Sequence, residues 1–187
     1  MSRTVVARRA FDAGYSRPGS HPGAGERAGD ARPIWRLRVP LFGGAAYPII
    51  KDVQSRMNVR LRFVFRNFPI NSHPHAQQAA EAAEAAGSQG KFWEMHDLLF
   101  ENQEHLRDDD VRGYADKLGL DVELFAKELD EHVHATRVHD DFMSGVRSGV
   151  QGTPTFYING VRHDGAYDME PLLAALEQAA ASEGETG

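Results

Sequence analysis

The sequence contains no cysteine among its 187 residues. That absence excludes disulfide bonds, thiolate metal ligands and thiol nucleophiles together. The chain also lacks an apolar run approaching the roughly 20 residues that a membrane helix needs. Its first residues carry arginines but no apolar stretch typical of a secretory signal, MSRTVVARRAFDAGYSRPG. We therefore expect a cytoplasmic protein without a membrane segment.

The composition is that of a soluble globular protein, with 41% hydrophobic and 26% charged residues. A formal net charge of -6 argues against nucleic acid or an anionic membrane as the main partner. The length is sufficient for one domain with a substantial core. Nothing in the composition indicates a cofactor or an oligomeric state.

Two parts of the chain differ in pattern. Residues 1 to 33 are rich in Arg, Gly, Ala and Pro and show neither helical nor strand periodicity, which predicts a disordered segment. Residues 34 to 182 form the predicted domain. Its periodicity predicts a helix from residue 46, a strand at 61 to 66, five helices, a β-hairpin and a closing helix. The segment PIWRLRV has strand-compatible residues and is expected to pair beside the strand at 61 to 65. The predicted class is α/β.

The most specific segment is GVQGTPTFYINGVRHDG. Asn159 and Gly160 form a strong hairpin signal between two short strands. Thr153 and Pro154 stand directly before the first of these strands, where a cis peptide would make a tight turn and leave the preceding backbone available to an extended peptide. These two residues are the candidate substrate-binding site. An ordinary loop proline is the alternative interpretation.

From residue 46 to about 176 the chain resembles the DsbA-type branch of the thioredoxin-fold thiol oxidoreductases. The resemblance rests on AYPIIKDVQ, LRFVFRNFPI, HPHAQQAAEAAEAAGSQGKFWEMHDLLF and GTPTFYINGVRHDGAYD. It implies a thioredoxin-like fold with a helical insertion at about 75 to 145, and a cis-Pro154 loop facing the active site. It also implies partners that are protein or peptide thiols and disulfides, and a Cys-Pro-x-Cys pair just before the first helix.

That pair is missing. The alignment of the resemblance places Cys-Pro-x-Cys on Pro40, Leu41, Phe42 and Gly43, so that Pro40 and Gly43 occupy the two cysteine positions. The site therefore has no catalytic residue as written, and thiol–disulfide exchange is not expected.

The genetic code offers an explanation. Suppose that the residues up to about 41 are translated one base out of frame. Each codon of the original frame then consists of the last two bases of one codon as now read and the first base of the next. Trp35-Arg36 then forces glycine, Asp30-Ala31 permits only Thr or Met, and the remaining pairs of ERAGDARPIWRLRVPL allow SAPVTLVQYGDYECP. This alternative sequence is typical of a strand and a turn followed by Cys-Pro. We interpret the missing pair as the result of a reading-frame disruption before residue 44.

Other functions compete with this interpretation. A cysteine-free module could bind a peptide or partner through the Thr153 and Pro154 backbone. A glutathione-dependent isomerase or transferase of the same fold could use a serine in place of the first cysteine, but Pro40 offers no hydroxyl. Among the nine histidines, His132 and His134 alternate on a predicted helix and do not share a face, so no metal site is expected. The AEAAEAA run is interpreted as plain helix propensity.

The contrast between the two parts predicts a difference in amide hydrogen exchange. Amides of residues 1 to about 30 should exchange at the rate of an unfolded chain, because that segment lacks the apolar periodicity needed to bury a core face. Amides of the helices after residue 46 should be protected and serve as the internal control. Protection throughout residues 1 to 30 would contradict the prediction.

Overall fold

The computed structural model describes residues 35–40, 46–57, 61–70, 72–166 and 168–184. The predicted disordered segment, residues 1 to 33, lies outside this part of the chain. The elements in chain order are β1 (Trp35–Pro40), α1 (Ala46–Met57), β2 (Leu61–Arg66), α2 (Ala76–Ser88), α3 (Phe92–Glu101), α4 (Asp108–Lys117), α5 (Val122–Asp130), α6 (Ala135–Arg147), β3 (Phe156–Ile158), β4 (Val161–His163) and α7 (Met169–Gly184).

The four described strands form one sheet in the order β2-β1-β3-β4. β1 runs parallel to β2, from the pair Trp35 and Leu61 to the pair Pro40 and Arg66, with α1 as the crossover. The expected pairing of this segment beside β2 is confirmed, although residues 33 and 34 lie outside the described ranges. β3 pairs antiparallel with both β1 and β4.

The turn of the β3–β4 hairpin follows the sequence prediction. Asn159 and Gly160 have φ angles of 51° and 89°. Two consecutive positive φ values are the backbone of a type I′ turn, whose twist matches that of the flanking strands. Gly160 tolerates this conformation without steric conflict, and asparagine is among the side chains that adopt it most readily.

Helical spacing of apolar residues explains how α1 and α7 cover the core. α1 buries four residues spaced three or four apart, Ala46, Ile50, Val53 and Met57. α7 packs against α1 and against β1 and β3. Its described buried residues include Leu172, Leu173 and Leu176. Trp93 is buried in the same core.

Helices α2 to α6 form the predicted insertion between β2 and β3. α2 lies at its centre and contacts α3, α4, α5 and α6. Its residues from Ala79 to Gly87 are all buried, including Glu81 and Glu84. The interpretation of the alanine-rich run as plain helix propensity is therefore incomplete. Alanine on every face lets four neighbouring helices approach the α2 backbone closely.

The joint between α5 and α6 differs from the sequence prediction. A continuous helix through His132 and His134 was expected, but α6 begins only at Ala135. Both histidines lie in the preceding turn, where His132 has a positive φ of 52°. The left-handed backbone at His132 ends α5 and changes the chain direction.

No helix in the described ranges is both long enough and apolar enough to cross a lipid bilayer.

The close packing of α2 predicts that Ala85→Leu destabilises the protein. Ala85 is fully buried, and inserting three carbons into a packed interior should lower the free energy of unfolding by about 1–3 kcal/mol. The matched control is Ala174→Leu, at an exposed position of α7, which should change the free energy of unfolding by less than about 0.5 kcal/mol. Urea denaturation of both variants measures the difference. Equal effects would show that α2 is not tightly packed.

Candidate functional site

The candidate site lies where β1 ends and β3 begins. β3 pairs with β1 through Leu37 with Ile158 and Arg38 with Tyr157. Extending this antiparallel register by two residues places Thr155 opposite Pro40. The Thr153–Pro154 loop and Pro40, the first cysteine position of the resemblance, therefore lie toward the same end of the paired strands β1 and β3. The second position, Gly43, lies outside the described residues, as do Leu41 and Phe42.

The Thr153–Pro154 peptide bond is cis. Hydrogen bonds on both sides hold the surrounding loop. The Thr155 hydroxyl, which is buried, donates to the Gly152 carbonyl at 2.6 Å. From the hairpin, the Tyr157 hydroxyl donates to the Ser148 carbonyl at 2.6 Å, and Arg162 Nη1 donates to the Gly149 carbonyl at 3.0 Å. The loop is thus attached to the sheet at several points.

In the first turn of α1, Tyr47 contacts α3. Its ring stacks on Phe100 at 5.4 Å between centroids, and its hydroxyl donates to Glu101 Oε1 at 3.2 Å. Burial, together with the negative charges of Asp97 and Glu101, raises the pKa of the Tyr47 hydroxyl. Tyr47 is therefore a fixed hydrogen-bond donor and not a nucleophile at neutral pH.

One turn further along α1, Lys51 pairs with Asp97. The second carboxylate oxygen of Asp97 accepts a hydrogen bond from His96 Nδ1 at 3.1 Å. His96 is buried among aromatic rings, the nearest being Phe65 and Phe100 at 4.6 Å between centroids. Burial lowers the pKa of His96, although Asp97 opposes the effect. His96 is consequently a neutral ring that donates through Nδ1.

Asp97 experiences two opposing influences. Its partial burial disfavours the charged form, but the hydrogen bonds from His96 and Lys51 and the Lys51 charge favour it. The net result holds the pKa of Asp97 below its usual range. Lys51, Asp97 and His96 therefore join α1 to α3 through an ionised carboxylate, a contact that the sequence pattern did not reveal.

A family model described as a DSBA-like thioredoxin domain matches residues 47–177. The chain belongs to this family. The match covers α1 to most of α7, including the insertion and the Thr153–Pro154 loop. The fold and family expected from the resemblance are confirmed.

Solved structures agree with the DsbA-like fold. BdbD from Bacillus subtilis matches with a TM-score of 0.67 and 22% identity, over 81% of this chain and 90% of that chain. A thioredoxin-like oxidoreductase from Silicibacter pomeroyi DSS-3 matches with a TM-score of 0.66 and 21% identity, over 83% of this chain and 89% of that chain.

Closer sequence similarity occurs in longer proteins named as Na⁺/H⁺ antiporters. NhaA 1 of Salinispora arenicola is 46% identical over 139 residues, which is 74% of this chain and 21% of the antiporter. NhaA 3 of Salinispora tropica is 45% identical over 142 residues, 75% of this chain and 22% of the antiporter. This chain spans about a fifth of the length of these relatives.

A DsbA-like domain ordinarily acts through sulfur, and this chain has none in cysteine form. The groups around α1 are a tyrosine hydroxyl, an ammonium, a carboxylate and an imidazole. None of them can form or exchange a sulfur–sulfur bond, because both reacting groups in that chemistry are sulfur atoms.

A second buried polar cluster lies at the end of β2, where the sequence predicted only a half-buried strand. Asn67 donates through Nδ2 to Glu84 Oε1 at 2.7 Å, and its backbone N–H donates to Asp141 Oδ2 at 3.1 Å. Arg66 Nε and Arg137 Nη1 each lie 3.5 Å from Asp141 Oδ1. The cluster joins β2 to α2 and α6, and no periodicity could have indicated it because its members are far apart in sequence.

Burial governs the ionisation of this cluster. It raises the pKa of Glu84, against the opposing charge of Arg137, and it raises the pKa of Asp141, against Arg66 and Arg137. The two carboxylates and Arg66 are buried while Arg137 is 30% exposed on its side chain, so the charge of each buried group depends on its neighbours.

The histidines serve separate roles. His73 and His75 are exposed where α2 begins. His163 ends β4 and donates through Nε2 to the Ala166 carbonyl at 3.1 Å, while Asp164 pairs with Arg162 at 2.8 Å. Across the described ranges, no three His, Asp or Glu side chains converge in an arrangement that could hold a metal ion.

The lowered pKa of Asp97 predicts a pH-dependent stability. A carboxyl whose pKa is depressed in the folded state stabilises the protein above its unfolded pKa of about 3.9, and this contribution is lost as pH falls through the folded value. Asp97→Asn should therefore lower the free energy of unfolding at neutral pH, and the difference from the unsubstituted protein should shrink in acid.

The control for this prediction is Glu94→Gln, which removes one carboxylate of the same helix whose partner Lys91 is more than 40% exposed. It should have a small, nearly pH-independent effect. Denaturant unfolding between about pH 3 and pH 7, which spans the titration of a carboxyl group, provides the measurement. A constant difference between Asp97→Asn and the unsubstituted protein would show that Asp97 is not held ionised by Lys51 and His96.

Proposed function

We propose that this chain is a redox-inactive member of the DsbA-like oxidoreductase family whose cysteine pair was lost through a reading-frame disruption before residue 44. The observation that carries the proposal is a family domain matched over residues 47–177 in a chain with no cysteine. The helix that follows the family's redox pair, the loop that faces it and the insertion are all retained. Only the sulfur chemistry is absent.

The reading frame supports this origin. Shifting residues 26 to 41 by one base permits a strand, a turn and Cys-Pro, and the forced glycine at Trp35-Arg36 falls inside the turn. In the written frame the positions of that turn, Trp35–Pro40, instead form β1 and pair with β2. Parallel pairing relies on backbone hydrogen bonds, so a segment with a changed side-chain pattern can still form a strand. A reading-frame disruption of this kind should therefore give a protein that keeps the fold but has no thiol–disulfide exchange activity.

In the intact family the reaction is an exchange of two electrons between thiols and a disulfide. A thiolate attacks a substrate disulfide, forms a mixed disulfide and releases one substrate thiolate. The second cysteine then attacks the mixed disulfide, releases the other substrate thiolate and leaves the enzyme oxidised. In this chain the remaining function would be to hold an extended peptide along the Thr153–Pro154 backbone, which is the alternative role of a partner-binding module.

The antiporter similarity supports a further part of the proposal. A domain about 45% identical to this one forms roughly a fifth of proteins named Na⁺/H⁺ antiporters. We propose that this chain acts beside such a transporter, with a cytoplasmic location as expected from its composition. Co-purification of the chain with an antiporter from the same cell, and its recovery in the cytoplasmic fraction, would test this part independently.

The redox proposal predicts that the protein as written has no thiol–disulfide exchange activity. Restoring the frame, so that Gly-Asp-Tyr-Glu-Cys-Pro precedes the first helix with a second cysteine at position 43, should introduce insulin reduction or peptide oxidation. Resequencing the gene across codons 20 to 45 tests the frame itself. Activity of the untouched chain would overturn the argument from the missing cysteines.

A double substitution, Pro40→Cys with Gly43→Cys, separates the two contributions to activity. It supplies both sulfur atoms but keeps the written strand, and it should recover less activity than the restored frame because the residues that position the pair are still changed. Both forms should have reduced, accessible thiols before assay. If the restored protein stays inert under these conditions, the binding-module function becomes the better explanation.

A further inference from the structure

We propose that Glu84 and Asp141 share one proton, and that this proton holds the helical insertion closed against the end of β2. With the proton bound, α2, α6 and the segment after β2 stay packed together. Loss of the proton opens this junction. The switch is separate from the Thr153–Pro154 loop and does not rest on the proposed redox history.

The two carboxyl groups lie close together in the protein interior. Each side chain is 4% exposed. Asn67 Nδ2 donates to Glu84 Oε1 at 2.7 Å and to Asp141 Oδ2 at 3.4 Å. Because one nitrogen contacts both, the two groups lie within the roughly 4–6 Å over which like charges disfavour each other's ionisation. Two negative charges at this separation, away from water, are therefore relieved by binding a proton.

Two arginines face the pair, but at distances longer than a strong ion pair. Arg66 Nε and Arg137 Nη1 each lie 3.5 Å from Asp141 Oδ1, and Arg137 Nε lies 3.7 Å from Glu84 Oε2. A charge-assisted N–H···O bond is typically about 2.7–2.9 Å long. The Arg137 side chain is also 30% exposed, so water weakens its attraction for the carboxylates. The arginines therefore compensate two ionised carboxylates only in part.

The balance of these influences favours the protonated form. Burial is the largest influence on both acids and raises the pKa of each. The positive charges of Arg137 and His134 lower the pKa of Glu84, while the charge of Asp141 raises it. Arg66 and Arg137 lower the pKa of Asp141 without reversing the effect of burial. The coupled pair therefore keeps a proton to higher pH than a separate carboxyl group would.

The direction of the pH effect follows from these raised pKa values. A group whose pKa is higher in the closed form stabilises that form below its unfolded pKa, and the contribution is lost as pH rises through the folded value. Once both acids are ionised, their repulsion acts between α2, which carries Glu84, and α6, which carries Asp141. The Asn67 backbone N–H, which donates to Asp141 Oδ2 at 3.1 Å, should then become accessible to solvent.

The junction lies at the end of the sheet where Pro40 is found. The parallel register pairs Pro40 with Arg66, and Asn67 is the next residue past these paired strands. Asn67 contacts the proton-sharing pair through both its backbone and its side chain. Opening of the junction would therefore release the chain where it leaves β2, beside the first cysteine position of the resemblance.

Amide hydrogen exchange of the full chain between about pH 4 and pH 9 tests the switch. After correction for the intrinsic exchange rate, the opening constant of the Asn67 amide should rise by up to about tenfold per pH unit while the pair loses its proton. The internal control is the amide of Phe125, which donates to the Asp121 carbonyl at 2.9 Å and lies in α5. Its opening constant should not follow that of Asn67.

Two variants separate this pair from the other buried acid of α2. Glu84→Gln replaces the ionisable group by a neutral amide of the same shape, which can still accept from Asn67, and it should make the opening constant of the Asn67 amide independent of pH. The matched control is Glu81→Gln. Glu81 is 3% exposed and pairs with His132 outside the cluster, so its substitution should leave the pH dependence unchanged.

The carboxyl carbon signals of Glu84 and Asp141 in NMR spectra of the unsubstituted chain report the proton directly. Two coupled steps are expected, the upper one above the range of an ordinary carboxyl. Ionisation of both groups near about pH 4 would overturn the proposal. So would an Asn67 amide that opens only together with Phe125, which is global unfolding, or a folded Glu84→Gln variant that keeps the full pH dependence. If Glu84→Gln does not fold, the carboxyl signals and the exchange of the unsubstituted chain still decide.

Discussion

The rest of the structure depends on the burial of α2 on every face. A helix surrounded by four others requires side chains small enough for the backbones to approach, and the alanines of α2 satisfy this requirement. The same packing removes water from Glu81 and Glu84, the two carboxylates that α2 carries. Each is satisfied by partners from other elements: Glu84 by Asn67 of the segment after β2, and Glu81 by His132 of the α5–α6 turn.

The buried carboxylates of the domain change its stability with pH in opposite directions. Asp97 is held ionised between Lys51 and His96, so its contribution to stability is present above its unfolded pKa and declines in acid. For Glu84 and Asp141, burial raises the pKa. Their contribution is fully present below the unfolded pKa and is lost as pH rises through the folded value. The Asp97 contact therefore stabilises the domain most near neutral pH, whereas the cluster of Glu84 and Asp141 stabilises it most in acid.

The scaffold and the chemistry of this family are separable in physical terms. The sheet, α1 and the insertion depend on apolar burial and backbone hydrogen bonds, none of which needs sulfur. The exchange reaction depends on two sulfur atoms at one edge of that sheet. A chain can consequently lose the exchange chemistry without losing the scaffold.

The sequence by itself determined the class of fold, the hairpin and the absence of thiol chemistry, because these follow from local periodicity, turn chemistry and composition. The family was indicated by the resemblance to DsbA-type proteins. The pairing of Trp35–Pro40 with β2 could also be predicted, since a vacant strand position must be filled to avoid an unpaired edge. The tertiary structure alone decided which charges are buried. Asn67 meets Asp141 across 74 positions of sequence and His132 meets Glu81 across 51. Local patterns do not encode such contacts, because the geometry that joins them is set by how whole helices pack.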